Sequence, residues 1–136
     1  FMIDHHLEKY MSYRLGGWTE KQGEGLATDL LENESPLPTA ILVGSDPMAI
    51  GVYRALKQKN IQLGEEIVVA NFDNIETIAN LSPGLTSVQI NAKSIGQAAV
   101  RMALERIDGI RDEPIILTYP ARLIVRESFI PRTKRY

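Results

Sequence analysis

The run from Thr39 to Gly51 constrains the fold more than any other part of this sequence. Its first residues, Thr39–Val43, form a short apolar segment, which is typical of a fully buried parallel β-strand. Asp46 and Pro47 then predict the N-cap and the first position of a helix, because Asp accepts hydrogen bonds from free amides and Pro has a helical φ. Since ligands of open α/β sheets bind outside the carboxyl ends of the strands, we expect the turn between this strand and this helix to face a ligand.

A second strand completes a βαβ unit. The helix is expected to end at Asn60, which tolerates the left-handed conformation, and residues 67–72 form another apolar run. A strand, a helix and a strand in this order predict a parallel pair. The turn at residues 72–74 then lies at the same sheet edge as Ser45 and Asp46, and we expect the two turns to approach one another.

The remaining segments predict an α/β domain whose parallel sheet is flanked by helices. Residues 39–43, 66–72 and 85–89 are expected to be neighbouring parallel strands. Apolar spacing and capping residues predict the other elements. They are an amphipathic helix from Ile3 to Leu15, a helix opened by a capping box of Thr19 and Gln22, a short helix at 75–81, a helix at 94–108, and final strands at 115–118 and 121–125.

Composition argues against several classes of protein. The 136 residues fit one domain, with no apolar run long enough to span a bilayer and no signal-peptide pattern at Phe1. The absence of cysteine rules out disulfides and thiolate sites. A net charge of −2 is too close to zero for a surface made for nucleic acid, and the basic residues after Ala121 indicate a solvated terminus. His5 and His6 point to different helix faces, so they do not predict a metal site.

The order of residues carries no enzyme signature. There is no Gly-rich phosphate loop with Lys followed by Ser or Thr, and no dinucleotide fingerprint. No Ser-His-acid or paired-carboxylate arrangement with a definable role is present. We therefore expect no enzymatic activity and no cofactor.

Six short motifs follow one another between Pro38 and Ser128: Pro-Thr-Ala-Ile, Ser-Asp-Pro-Met-Ala-Ile-Gly, Val-Val-Ala-Asn-Phe-Asp-Asn, Pro-Gly-Leu-Thr-Ser-Val, Ile-Gly-Gln-Ala-Ala-Val and Leu-Ile-Val-Arg-Glu-Ser. In this order they resemble the carboxyl-terminal half of the effector-binding core of lactose-repressor-family transcription regulators. The variant looks most like the galactose-operon repressors of Gram-positive bacteria. Residues 1–36 match the family more loosely.

The resemblance implies part of a periplasmic-binding-protein type I fold, in which two α/β subdomains enclose a small effector, a sugar or a sugar derivative. It further implies a cytoplasmic homodimer, without membrane contact, that controls operator DNA through a helix-turn-helix domain outside this chain. Residues 1–90 would then belong mostly to the carboxyl-terminal subdomain. Residues 91–113 would hold a helix that packs on the amino-terminal subdomain, and residues 114–136 would be returning strands and a tail.

The resemblance also implies an effector site. Asp73 is the first candidate, because an ionised carboxylate accepts two sugar hydroxyls, and the hydroxyl of Ser45 can both donate and accept. The predicted effector-binding set is completed by Asp46, Phe72 and Asn91. Plainer interpretations stay open: Asp73 and Ser45 as turn residues, Asp46 as a helix cap and Phe72 as core.

A homodimer needs a self-complementary surface. The sequence predicts an exposed apolar patch on two neighbouring segments, and the family dimerises through the equivalent surfaces. The patch consists of Ile50, Tyr53, Ile78 and Leu81.

A periplasmic sugar-binding component of a transporter shares the fold and is the alternative function. The motif Leu123–Ser128 decides between the two, because it is typical of the regulators and not of the transport proteins.

Overall fold

The computed structural model describes residues 2–129, which form an α/β domain around a four-stranded sheet. Strands β1, β2 and β3 are parallel neighbours and β4 is antiparallel to β3. The predicted parallel sheet is therefore confirmed. In chain order the elements are α1 (Glu20–Asn33), β1 (Ala40–Val43), α2 (Asp46–Gln58), β2 (Val68–Asp73), α3 (Glu76–Ala79), β3 (Thr86–Gln89), α4 (Ala92–Ile107) and β4 (Arg122–Ile124).

The ends of the first two helices follow the sequence closely. The Thr19 side chain accepts from the backbone of Gln22 and the Gln22 side chain accepts from Thr19, so the predicted capping box is present. Asn60 adopts φ 56°, and the Ile61 N–H donates to the Leu56 carbonyl at 2.9 Å. This is the left-handed cap expected after α2.

Helices α1 and α2 pack on each other through glycine. A Cβ added at Gly51 would overlap the carbonyl oxygen of Glu20, and one added at Gly23 would overlap that of Met48. The two backbones therefore touch, and this close crossing needs a residue without a side chain at both positions. Of the two helices, α2 packs on β1 and β2.

The core lies between this helix pair and the sheet. Its buried members are Ala27, Val43, Ala49, Ile50, Val52, Ala55, Leu56, Ile67, Val69, Ile78 and Leu85. Ile50 and Ile78 belong to this core, so the prediction of an exposed patch containing them is wrong. Tyr53 is half-buried and its hydroxyl donates to the Ser82 carbonyl, and Leu81 packs partly buried against the core.

Ser128 joins the strands at the amino-terminal edge of the sheet. Its hydroxyl accepts from the Thr86 N–H at 2.7 Å and donates to the Val69 carbonyl at 2.7 Å. Its own N–H donates to the Gly84 carbonyl at 2.9 Å. The end of the regulator-type motif is thus a buried connection between the starts of β2 and β3.

Two predicted elements are wrong. Residues 3–15 hold only a 3₁₀ turn at Glu8–Tyr10 instead of a helix. The side chains of Ile3, Tyr10, Met11 and Leu15 stay exposed, and a helix of this length is marginal in water without a packing partner. Residues 115–118 form no strand, and Ile116 is 91% exposed. The basic residues Arg132, Lys134 and Arg135 lie outside the described residues.

One face of the sheet is open. The prediction that β1 is fully buried is wrong, because β1 is an edge strand and Leu42 is 72% exposed. Phe72 and Leu123 lie on the same open face, since side chains alternate along each strand. Helix α4 begins and ends near its predicted bounds, but among its residues only Ala98 is buried.

We predict that Gly51→Ala destabilises the fold by about 1–3 kcal/mol, because the new methyl group forces the two helix backbones apart. The matched control is Gly25→Ala on α1, where an added Cβ meets nothing within 4 Å. This control should stabilise the helix by about 0.5–1 kcal/mol. Urea unfolding measures both, and a stabilised Gly51→Ala variant would contradict the close crossing.

Ser128→Ala should lower the free energy of unfolding by about 1–3 kcal/mol, because the Thr86 N–H is left buried without an acceptor. Ser12→Ala, at an exposed position, is the control and should change stability little. Equal unfolding midpoints for the two variants would show that the Ser128 connection does not hold the strands.

Candidate functional site

A cleft lies at the sheet edge where the parallel strands end. It has a volume of ≈ 540 Å³ and is open to solvent. The turn after β2, the end of β3, the first turn of α4 and the start of β4 contribute its walls. The lining residues are Asp73, Asn74, Ile75, Gln89, Ile90, Asn91, Ala92, Lys93, Pro120 and Arg122.

Strand register lines up three polar residues across this cleft. Asp73 on β2 is paired with Gln89 on β3, and Gln89 is paired with Arg122 on β4. Lys93 in the first turn of α4 adds a second cation. The site therefore offers one carboxylate, the three amides of Asn74, Gln89 and Asn91, and two cationic donors, which suits a ligand with both donor and acceptor groups.

The turn that carries Asp73 has an unusual backbone. Asp73 has φ 95° and Asn74 has φ 56°, so two successive residues that are not glycine are left-handed. Asp and Asn tolerate this region best, but each such residue still costs about 1–3 kcal/mol. The surrounding structure must hold this turn in place, and such strain is concentrated at functional sites.

Asp46 supplies that support from the neighbouring strand end. It is fully buried at the first position of α2. One carboxylate oxygen accepts from the Asn71 amide, and the other accepts from the Ile75 N–H at 2.6 Å. The predicted approach of the two turns is thus confirmed. Burial raises the pKa of Asp46, although the hydrogen bonds from Ile75 and Asn71 act to lower it.

The helix cap is placed differently from the prediction. Ser45, not Asp46, is the N-cap residue of α2, and its side chain makes no capping bond. Asp46 is displaced from that role because its side chain turns toward Asn71 and Ile75. Ser45 is buried, and its Oγ has no hydrogen-bond partner within residues 2–129.

The predicted effector residues are only partly brought together. Asp73 and Asn91 both line the cleft. Asn91 also caps α4, because its side-chain oxygen accepts from the Ser94 N–H at 3.2 Å. Asp46 and Ser45 lie behind the cleft surface, and Phe72 is 40% exposed on the open face of the sheet.

Sequence reasoning missed Gln89, Lys93 and Arg122. Gln89 ends the third parallel strand, so the rule that ligands meet strand ends was a sufficient signal for it. Arg122 reaches the cleft only through the antiparallel register of β4, which no local pattern specifies. Within the described part of the chain, no group of three or more His, Cys, Asp or Glu is arranged as a metal site, and no helix is long and apolar enough to cross a bilayer.

The raised pKa of Asp46 gives stability a definite pH dependence. A folded-state pKa above the ordinary 3.8 means that the native protein holds this proton more tightly, so ionisation of Asp46 opposes folding as pH rises above about 4. In Asp46→Asn this loss is absent. The stability of the variant relative to the unsubstituted protein should therefore increase from pH 4 to pH 7.

Urea unfolding across this pH range measures the difference. Asp29→Asn is the control, because the hydrogen bond from Arg14 lowers the pKa of Asp29, so that its pH dependence lies below about pH 4 and its relative stability should stay flat across this range. A relative stability of Asp46→Asn that is flat or that falls with pH would contradict the prediction.

Comparison with known proteins identifies the fold and the family. Residues 4–129 match the family described as periplasmic binding protein-like domain. The HTH-type transcriptional repressor MelR of Bacillus subtilis is 32% identical over 114 residues, which are 84% of this chain and 33% of that protein. The lactose operon repressor of Rhizobium radiobacter is 36% identical over 91 residues, which are 67% of this chain and 80% of that sequence. The chain thus spans about a third of MelR.

Solved structures agree. The transcriptional regulator CelR in complex with cellobiose superposes with a TM-score of 0.81 at 27% identity, covering 92% of this chain and 39% of that one. The lac repressor dimer bound to operator and the anti-inducer ONPF gives a TM-score of 0.79 at 27% identity, covering 93% and 45%. The chain belongs to the periplasmic binding protein-like domain family, and within it to the effector-binding cores of lactose-repressor-type transcription regulators.

Proposed function

We propose that this chain is the effector-sensing part of a bacterial transcription regulator, and that its cleft around Asp73 binds a sugar or a sugar derivative. The row formed by Asp73, Gln89 and Arg122 is the observation that carries the proposal. A carboxylate accepts from hydroxyl groups, while an amide and a guanidinium donate to hydroxyl or ring oxygens. A polyhydroxylated ligand satisfies both kinds of group at once.

Each side chain has a defined task in this proposal. Asp73 accepts two hydroxyls, and Lys93 and Arg122, which also line the cleft, donate to the ligand. Asn91 contributes its amide nitrogen, because its oxygen is used by the helix cap. Contact of the effector with Ser45 and Phe72 stays a prediction.

The similar proteins favour a function as a transcription regulator over a function as a transport component. The relatives described above are transcriptional repressors, and none is a transport component or an enzyme. We infer a cytoplasmic homodimer that acts on operator DNA through a domain outside this chain, supported by the likeness to the lac repressor dimer bound to its operator. Effector binding would then shift the population between two arrangements with different operator affinity.

The subdomain assignment belongs to the same proposal. Helix α4 leaves Ile95, Val100 and Leu104 exposed, which supports packing of residues 91–113 on an amino-terminal subdomain. Residues 1–90 would belong mostly to the carboxyl-terminal subdomain, and residues 114–136 would be the segment that returns to it. The half-buried Tyr53 and Leu81 stay candidates for the dimer interface.

A ligand screen of the full-length protein tests the proposal. Monosaccharides and disaccharides, including cellobiose, are added one at a time, and a compound that binds only the folded state raises the melting temperature. Isothermal titration then gives Kd for each compound that does so. A protein that is stabilised by none of them would contradict a sugar effector.

Asp73→Ala in the full-length protein should weaken binding of the identified sugar by about 1.5–3 kcal/mol, because hydrogen bonds to a charged group are lost. The control is Asp108→Ala at the far end of α4, roughly 24 Å along the helix from its first turn, and it should leave Kd unchanged. An unchanged Kd for Asp73→Ala, measured by calorimetry, would remove Asp73 from the site.

A further inference from the structure

Asp46 is a buried carboxylate for which the proposed effector contacts have no use. It has no exposed surface, while the cleft is lined by other residues. Burying a carboxylate is unfavourable unless hydrogen bonds satisfy its oxygens. The hydrogen bonds from the Asn71 amide and the Ile75 N–H therefore indicate which part of the structure the buried Asp46 carboxylate stabilises.

These two bonds bracket the strained turn. Asn71 lies two residues before Asp73, and Ile75 lies two residues after it. The two residues between the donors that are nearest the cleft, Asp73 and Asn74, are the left-handed pair. Backbone in this region persists only where its surroundings fix it. One carboxylate on α2 holds the turn from both sides.

The neighbouring polar atoms do not share this task. Ser45 Oγ, Asn71 Oδ1 and Asn74 Oδ1 are buried and have no hydrogen-bond partner within residues 2–129. The side-chain hydrogen bonds between α2 and the turn therefore all go through Asp46 in the part of the chain that the structure describes. Loss of its carboxylate would leave the turn without them.

We propose that Asp46 is a positioning residue, which fixes Asp73 in its cleft-facing conformation by tying the turn at residues 73–75 to the start of α2. It touches no effector and acts through the Ile75 N–H and the Asn71 amide. The same connection links Asp73 to α2. α1 in turn packs directly on α2 through Gly23 and Gly51.

A purely structural role predicts something different. If Asp46 only stabilised the core or the amino-terminal end of the helix, its loss would open the whole domain more often. Backbone amides of the turn and of the core would then exchange faster by the same factor. A positioning role opens the turn alone.

Hydrogen exchange followed by NMR on the full-length protein separates the two roles. In Asp46→Ala, the exchange rates of the Asn74 and Ile75 amides should increase about ten times more than the exchange rate of the Leu56 amide, which is buried in α2. Asp46→Asn keeps an oxygen for the Ile75 N–H and folds without a buried charge. Its turn amides should exchange more slowly than those of Asp46→Ala.

Two outcomes would overturn the proposal. One is an equal increase at Asn74, Ile75 and Leu56 in both variants, which is the structural role alone. The other is unchanged exchange at the turn. The proposal rests on the proposed function only in treating the turn as effector-facing, and the measurement uses no effector. A failed sugar screen therefore does not decide the role of Asp46, which is tested by hydrogen exchange alone.

Discussion

The buried carboxylate of Asp46 is the interaction on which the arrangement of the cleft depends. It joins the end of β1 to the turn after β2 through the Asn71 amide and the Ile75 N–H. A charge taken out of water is costly, and burial raises its pKa accordingly. The cost is offset by two hydrogen bonds that hold a left-handed turn, and this turn carries Asp73 into the cleft.

The two ends of the parallel strands have different surroundings. At the amino-terminal edge the Ser128 hydroxyl and backbone connect Val69, Gly84 and Thr86 by hydrogen bonds. At the carboxyl-terminal edge the strands end in polar side chains that face solvent. The hydrogen bonds at the strand starts give the cleft at the strand ends a stable support. The close packing of α1 on α2 completes that support.

Much of the fold could be predicted because its signals are local. The helix ends are indicated by proline, by Asn60 and by the Thr19 capping box, and the parallel strands are indicated by apolar runs. The helix predicted at residues 3–15 failed because its apolar spacing has no surface to pack on, which local periodicity cannot reveal. In the site, Asp73 and Asn91 could be predicted because they follow the ends of parallel strands. Arg122 could not, because its place depends on the register of β4. The role of Asp46 could not be predicted either, because it depends on the Ile75 N–H, 29 residues away. The local sequence does not distinguish an isoleucine of the core from one of an exposed patch, so the burial of Ile50 and Ile78 is known only from the packing.

The most direct test of the account is a map of backbone amide shifts in the full-length protein on addition of the sugar that stabilises it most. If the effector binds at the carboxyl-terminal edge of the sheet, the shifts should be largest at residues 73–75 and 89–93 and near Arg122. They should be small around Gly84 and Ser128. The largest shifts at the amino-terminal edge, with residues 73–75 unchanged, would contradict the central claim.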